Sequence, residues 1–221
     1  MKPLYPLIVR LFAYAGLMFL MSLAIQFDFA EGEVKEDSLI EITQEVLLLI
    51  SSLLLIGFSS KAKNFKIFNL TLAGFLGVHF VREFDFWLNT QLFDKAWQVI
   101  SLVIVIAVII MLIKNWKKLI LEIVSISKTY GFAFFFSGLV ILHVFSRLYG
   151  RKLMWIDLLR DTHHKYVISE NGEKIVELRD FMRPVKDASE ESIELLAYSI
   201  MLIGVVEMII FGVKSSRKIK L

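Results

Sequence analysis

The chain contains no cysteine, which excludes disulfides, thiolate metal centres and cysteine nucleophiles. Its three prolines, Pro3, Pro6 and Pro184, lie outside the interiors of the apolar segments, so none of those segments carries the broken-helix signal of many transporters. No tract of five or more like charges, no low-complexity run and no tandem repeat is present. The patterns H-E-x-x-H, G-x-S-x-G and His-x-x-x-His are absent as well, which removes the familiar zinc-peptidase and serine-hydrolase signatures.

What the chain has in abundance is apolar residues. Of 221 residues 57% are hydrophobic and 19 are Phe, against roughly 45–50% apolar in a soluble domain. Six segments are long enough to cross a hydrocarbon layer that takes about 20 helical residues: Tyr5–Phe27, Ile40–Phe58, Phe65–Phe86, Ala96–Ile113, Gly131–Leu148 and Ser192–Val213. The third has a short uninterrupted apolar core, Ile67 to Val81, so its polar end Arg82-Glu83-Phe84-Asp85 either continues the helix or lies at the interface.

Charge alternates between the connections. Lys61, Lys63 and Lys66 follow the second span, Lys114, Lys117, Lys118 and Lys128 the fourth, and Lys214, Arg217, Lys218 and Lys220 the sixth. Asp28, Glu31, Glu33, Glu36 and Asp37 stand against a single Lys35 in the first connection, while the third carries Glu83, Asp85 and Asp94 beside Arg82 and Lys95. The positive-inside rule then predicts a multi-pass protein of a bacterial-type cytoplasmic membrane with both termini cytoplasmic. A net charge of +3 spread over short loops belongs to membrane orientation and not to nucleic-acid binding. Met1–Ala24 also resembles a secretory signal ending in Ser22-Leu23-Ala24, but apolarity continues through Ile25 and Phe27, which favours an uncleaved anchor.

The expected fold is all-α: transmembrane helices 1–5 in residues 1–148, an extracytoplasmic cap in 149–188, and helix 6 with a basic tail in 189–221. Within the cap, Leu148–Leu159 reads as an amphipathic interfacial helix. Asn171-Gly172 between the β-prone runs Lys165–Ser169 and Lys174–Leu178 reads as a β-hairpin. Asp161-Thr162-His163-His164 reads more readily as a solvated turn than as a metal-binding loop.

Ionisable residues in or beside apolar spans are costly and by default mark function. Glu41 and Glu45, His79 and Glu83, His143 and Arg147, and Glu190 and Glu194 are pairs spaced four apart, so each pair shares a helix face. With alternating topology these four stripes, with Arg82 and Glu191, converge on one end of the bundle. The glutamates also suit helix first turns, where acids complement the macrodipole. Glu207 lies alone toward the other end, where a carboxylate needs a proton or a partner.

Four functional readings follow. An outward-facing cavity lined by Glu41, Glu45, His79, Arg82, Glu83, His143, Arg147, Glu190 and Glu194 would bind or transport a proton, ion, small solute or lipid headgroup. Alternatively His79, Glu83 and His143 would hold a divalent metal such as Zn, with Glu194 or Glu190 as base, in a hydrolase acting on a lipid-type substrate. His79 and His143 would otherwise be axial ligands of a b-type haem, with Arg82 and Arg147 near its propionates. In the last reading the polar groups only fix helix packing of an anchor or interaction protein, with Ala73 and Gly77 at a close helix contact. Homo-oligomerisation is compatible with each reading.

Overall fold

A computed structural model describes residues 4–31, 38–61, 63–159 and 178–218 of the chain. Among the described residues six helices are long and apolar enough to cross a membrane, at Pro6–Ala30, Leu39–Ser59, Lys63–Glu83, Ala96–Ile126, Tyr130–Tyr149 and Pro184–Ser216, making this a multi-pass membrane protein. Helices α1 (Leu4–Glu31) and α2 (Leu39–Ser59) lead through a short 3₁₀ turn to α3 (Lys66–Glu83). Next come α4 (Asp85–Gln91), α5 (Ala96–Ile126), α6 (Tyr130–Val140), a π turn (Ile141–Ser146) and α7 (Arg147–Tyr149). Helix α8 (Lys152–Leu159) and the long α9 (Leu178–Lys218) complete the order.

Helix α9 organises the bundle, packing most extensively against α6 and also against α2, while α3 lies between α2 and α5. Leu48, Leu55, Leu76, Leu195, Tyr198, Met201 and Val205 form the centre of the core. The α6–α9 contact is close because it is built on glycine. A Cβ on Gly204 would stand 2.5 Å from the Phe135 nitrogen, and one on Gly138 would stand 2.8 Å from the Ala197 carbonyl oxygen. The contact expected at Ala73 and Gly77 is made with α2, where the Ser52 hydroxyl donates to the Ala73 carbonyl at 3.0 Å, but it is looser, since a Cβ on Gly77 would meet nothing nearer than 3.8 Å.

Three segments depart from expectation. First, α9 begins at Leu178, carries Pro184 inside it and runs on into the sixth span. Leu178 thus belongs to a helix and not to a second β-strand, and no strand occurs among the described residues. The rest of the expected hairpin, with His163 and His164, lies outside the described residues. Second, α3 stops at Glu83, Phe84 leaves helical geometry, and α4 restarts at Asp85. Stacking of Phe84 on Phe80 and Trp87, with centroids 5.5 and 5.0 Å apart, holds that bend. Third, α5 does not end near Ile113 but kinks at Asn115 and continues to Ile126. The Asn115 side-chain amide donates to the Met111 carbonyl at 2.9 Å, inserting into the helix ladder, a known cause of kinks.

Helix ends are satisfied from neighbouring helices. The buried Asp28 of α1 accepts the Leu39 and Ile40 N–H groups at 3.1 and 2.7 Å, capping α2 beside Ser38. The buried Glu122 of α5 accepts the Phe68 N–H at 2.7 Å, in the first turn of α3.

Candidate functional site

The polar stripes meet where α2 begins and α3 and the α6 rod end. There the His79 and His143 rings lie in contact, centroids 5.4 Å apart, with Phe75 edge-on to His79 at 4.7 Å. His143 is exposed on the bundle surface and His79 is half-buried. The Nδ1 atom of His79 is buried without a hydrogen-bond partner. Tyr198 of α9, 6.4 Å from His79 ring to ring, donates its hydroxyl to Glu83 Oε1 at 2.7 Å. Arg82 lies 3.2 Å from that same oxygen and 4.0 Å from Glu194 Oε2.

Glu194, only 2% exposed, accepts the Ser146 hydroxyl at 2.6 Å. Ser146 closes the π turn that also carries His143. The extra residue of a π turn re-aims the side chains that follow, and such turns recur at functional sites. Arg147 donates to Glu190 at 3.3 Å, and Lys186 approaches the other Glu190 oxygen at 3.2 Å. Gln44, 1% exposed, donates to both the backbone carbonyl and the carboxylate of Glu191, at 3.0 and 3.1 Å.

Of the anticipated residues, His79, Arg82, Glu83, His143, Arg147, Glu190, Glu191 and Glu194 share this network or its margin. Glu41 stands in the first turn of α2, its N–H held by Ser38. Among the described residues the ion pairs of this end use Glu83, Asp187, Glu190 and Glu194. The macrodipole explanation fails for Glu190, Glu191 and Glu194, which lie about three or more turns past the start of α9. Sequence reasoning missed Gln44, Ser146 and Tyr198, the neutral groups that join the charged ones. The signal for Tyr198 was available, since it continues the Glu190, Glu194 face by four more residues.

Among the described residues no three His, Asp or Glu side chains are grouped to hold a metal ion, and Glu83 is turned to Tyr198 and Arg82.

At the opposite end Glu207 has found partners. Arg10 of α1 donates to both its oxygens, at 2.7 and 2.6 Å, and Tyr14 donates at 2.6 Å. Arg10, the one charge within the first apolar segment, was the overlooked signal.

No protein-family model, curated protein or solved structure matches this chain. Function must be argued from the site itself.

Proposed function

We propose that this protein takes up and transfers protons through the polar network at the end of the bundle where α2 begins. The observation that carries the reading is a contiguous series of hydrogen bonds, ion pairs and one ring contact that joins α3, α9 and the π turn. His79 lies beside Tyr198, Tyr198 is bonded to Glu83, Arg82 links Glu83 to Glu194, and Glu194 is bonded to Ser146. Chains of Glu and His within a bundle are what proton relays use. Charge balance supports a proton or small cation over an anion. Glu45, Glu83, Glu190, Glu191 and Glu194 outnumber Arg82, Arg147 and Lys186 there. Both arginines already face carboxylates, so neither is free to grip a phosphate headgroup. The lysine-rich connections lie at the other end, so the network faces outward and both termini lie inside, in a bacterial-type cytoplasmic membrane.

The test is proton flux in liposomes reconstituted with purified protein and loaded with a pH-sensitive dye. An imposed gradient is expected to dissipate faster than in protein-free liposomes. Glu194→Gln, which keeps shape and the Ser146 contact, is expected to lower that flux at least tenfold. Flux in the wild type no greater than in empty liposomes would leave a packing role for the network.

A further inference from the structure

We infer that the second half of α5, Trp116 to Ile126, is an interfacial helix that seats on anionic phospholipid headgroups of the leaflet at the lysine-rich end. The stretch from Ala96 to Lys114 rises about 28 Å, enough for a hydrocarbon layer of about 30 Å. The Asn115 kink therefore falls where the helix leaves hydrocarbon. Beyond it the usual amphipathic order is reversed. Glu122 and Ile126 are the buried residues, turned inward against the start of α3. The outward face carries Trp116, Ile120, Leu121 and Val124, with Leu121 72% exposed.

A helix in water hides its apolar face; one that hides its acid and presents Trp, Ile, Leu and Val faces lipid. Hydrocarbon depth is excluded by Lys114, Lys117 and Lys118, all exposed on or beside the same segment. Trp116 suits the headgroup boundary, where aromatic belts form. The sign of the charge selects the lipid. Lys61, Lys66 and Lys128 from neighbouring elements join those three at this end, and polybasic groups at a membrane surface favour anionic headgroups. Glu122, the acid at this end nearest them, is held by the Phe68 N–H and by Lys118 at 3.9 Å, so it does not cancel the patch.

Because the chain has no cysteine, Leu121→Cys gives one labelling site for an environment-sensitive fluorophore. The full-length protein is reconstituted in vesicles of phosphatidylcholine with phosphatidylglycerol, and quenching is read with either lipid carrying a headgroup-depth spin label. Spin-labelled phosphatidylglycerol is expected to quench several-fold more than spin-labelled phosphatidylcholine. Replacing Lys114, Lys117 and Lys118 by Gln should abolish that excess, each lysine contributing up to about fivefold in lipid preference. Should the triple variant fail to fold, high salt applied to the parent protein must shrink the excess by screening. Equal quenching by the two lipids in the parent protein would overturn the assignment of an anionic partner. Quenching by aqueous iodide in place of lipid would overturn the interfacial placement.

Discussion

Where α2 begins, ionisable groups from three helices share partners: Arg82 serves two carboxylates, Glu190 faces two cations, and His79 Nδ1 and Gln44 Oε1 are buried without partners. At the opposite end the Glu207 set closes on itself, while Glu122 Oε1 and Ser216 Oγ are buried there without hydrogen-bond partners. Arg10 and Tyr14 fully engage Glu207, and Glu122 caps α3 while facing Lys118. Both arrangements put charge in an apolar bundle, so burial alone does not distinguish structure from function. What differs is surplus capacity. A closed set has no bond to offer a mobile proton without losing one, whereas a shared, partly unsatisfied network has several arrangements of similar cost.

Removing one partner from a closed set should give the largest effect on stability. Arg10→Leu would leave the Glu207 carboxyl with only Tyr14 beside it, costing about 3 kcal/mol. The double variant Arg10→Leu/Glu207→Leu should recover most of that loss, because neither charge is then stranded. Unfolding of the detergent-solubilised protein, followed by circular dichroism, checks both. A double variant as unstable as the single one would mean that the contact is not a closed pair.

The glycine seam between α6 and α9 connects the two ends, and filling it sharpens the contrast. Gly138→Ala would force a methyl against the Ala197 carbonyl, an overpacking cost of about 2 kcal/mol. It should also push the π turn from α9 and part Ser146 from Glu194, lowering proton flux. Gly204→Ala should cost about as much stability near the closed end. Flux retained by Gly204→Ala and lost by Gly138→Ala would tie uptake to the network and not to bundle stability in general.

Removing a tertiary cap should cost less, about 1 kcal/mol for either Asp28→Ala or Glu122→Ala, although they serve opposite ends. Equal losses in thermal unfolding would show that capping is independent of which network stands nearby. A loss for Asp28→Ala several times larger would mean that α2 positions the network through its first turn.

The six spans were legible in the sequence because hydropathy over twenty residues needs no knowledge of neighbours. The convergence of His79, Glu83, His143, Arg147, Glu190 and Glu194 was legible too, through spacing and alternating direction. Three things depended on contacts that no local pattern encodes. The lysines after Ile113 looked like a loop, yet Glu122 finds the N-terminus of α3 and Asn115 bends the rod to reach it. Glu190 looked like a first-turn residue because the apolar run starts near it, while α9 begins at Leu178. Ser146 and Tyr198 looked like ordinary residues because a hydroxyl becomes informative only when its acceptor, on another helix, is known.

Two tyrosines allow the finest test, since each donates one hydroxyl to one glutamate. Tyr14→Phe removes the 2.6 Å bond to Glu207, which keeps both Arg10 contacts. Tyr198→Phe removes the 2.7 Å bond to Glu83, which keeps Arg82. Both changes preserve ring volume, and because an arginine still faces each carboxylate, each should cost no more than about 1 kcal/mol. Their effects on proton flux should nonetheless separate. Tyr14 belongs to a closed set and its loss should leave flux within error of the wild type. Tyr198 stands between the His79 ring and Glu83, and without its hydroxyl Glu83 loses its neutral donor, so flux should drop several-fold at nearly unchanged stability. Equal flux in the two variants would remove Tyr198 from the relay and move the path to the Arg82 side of Glu83.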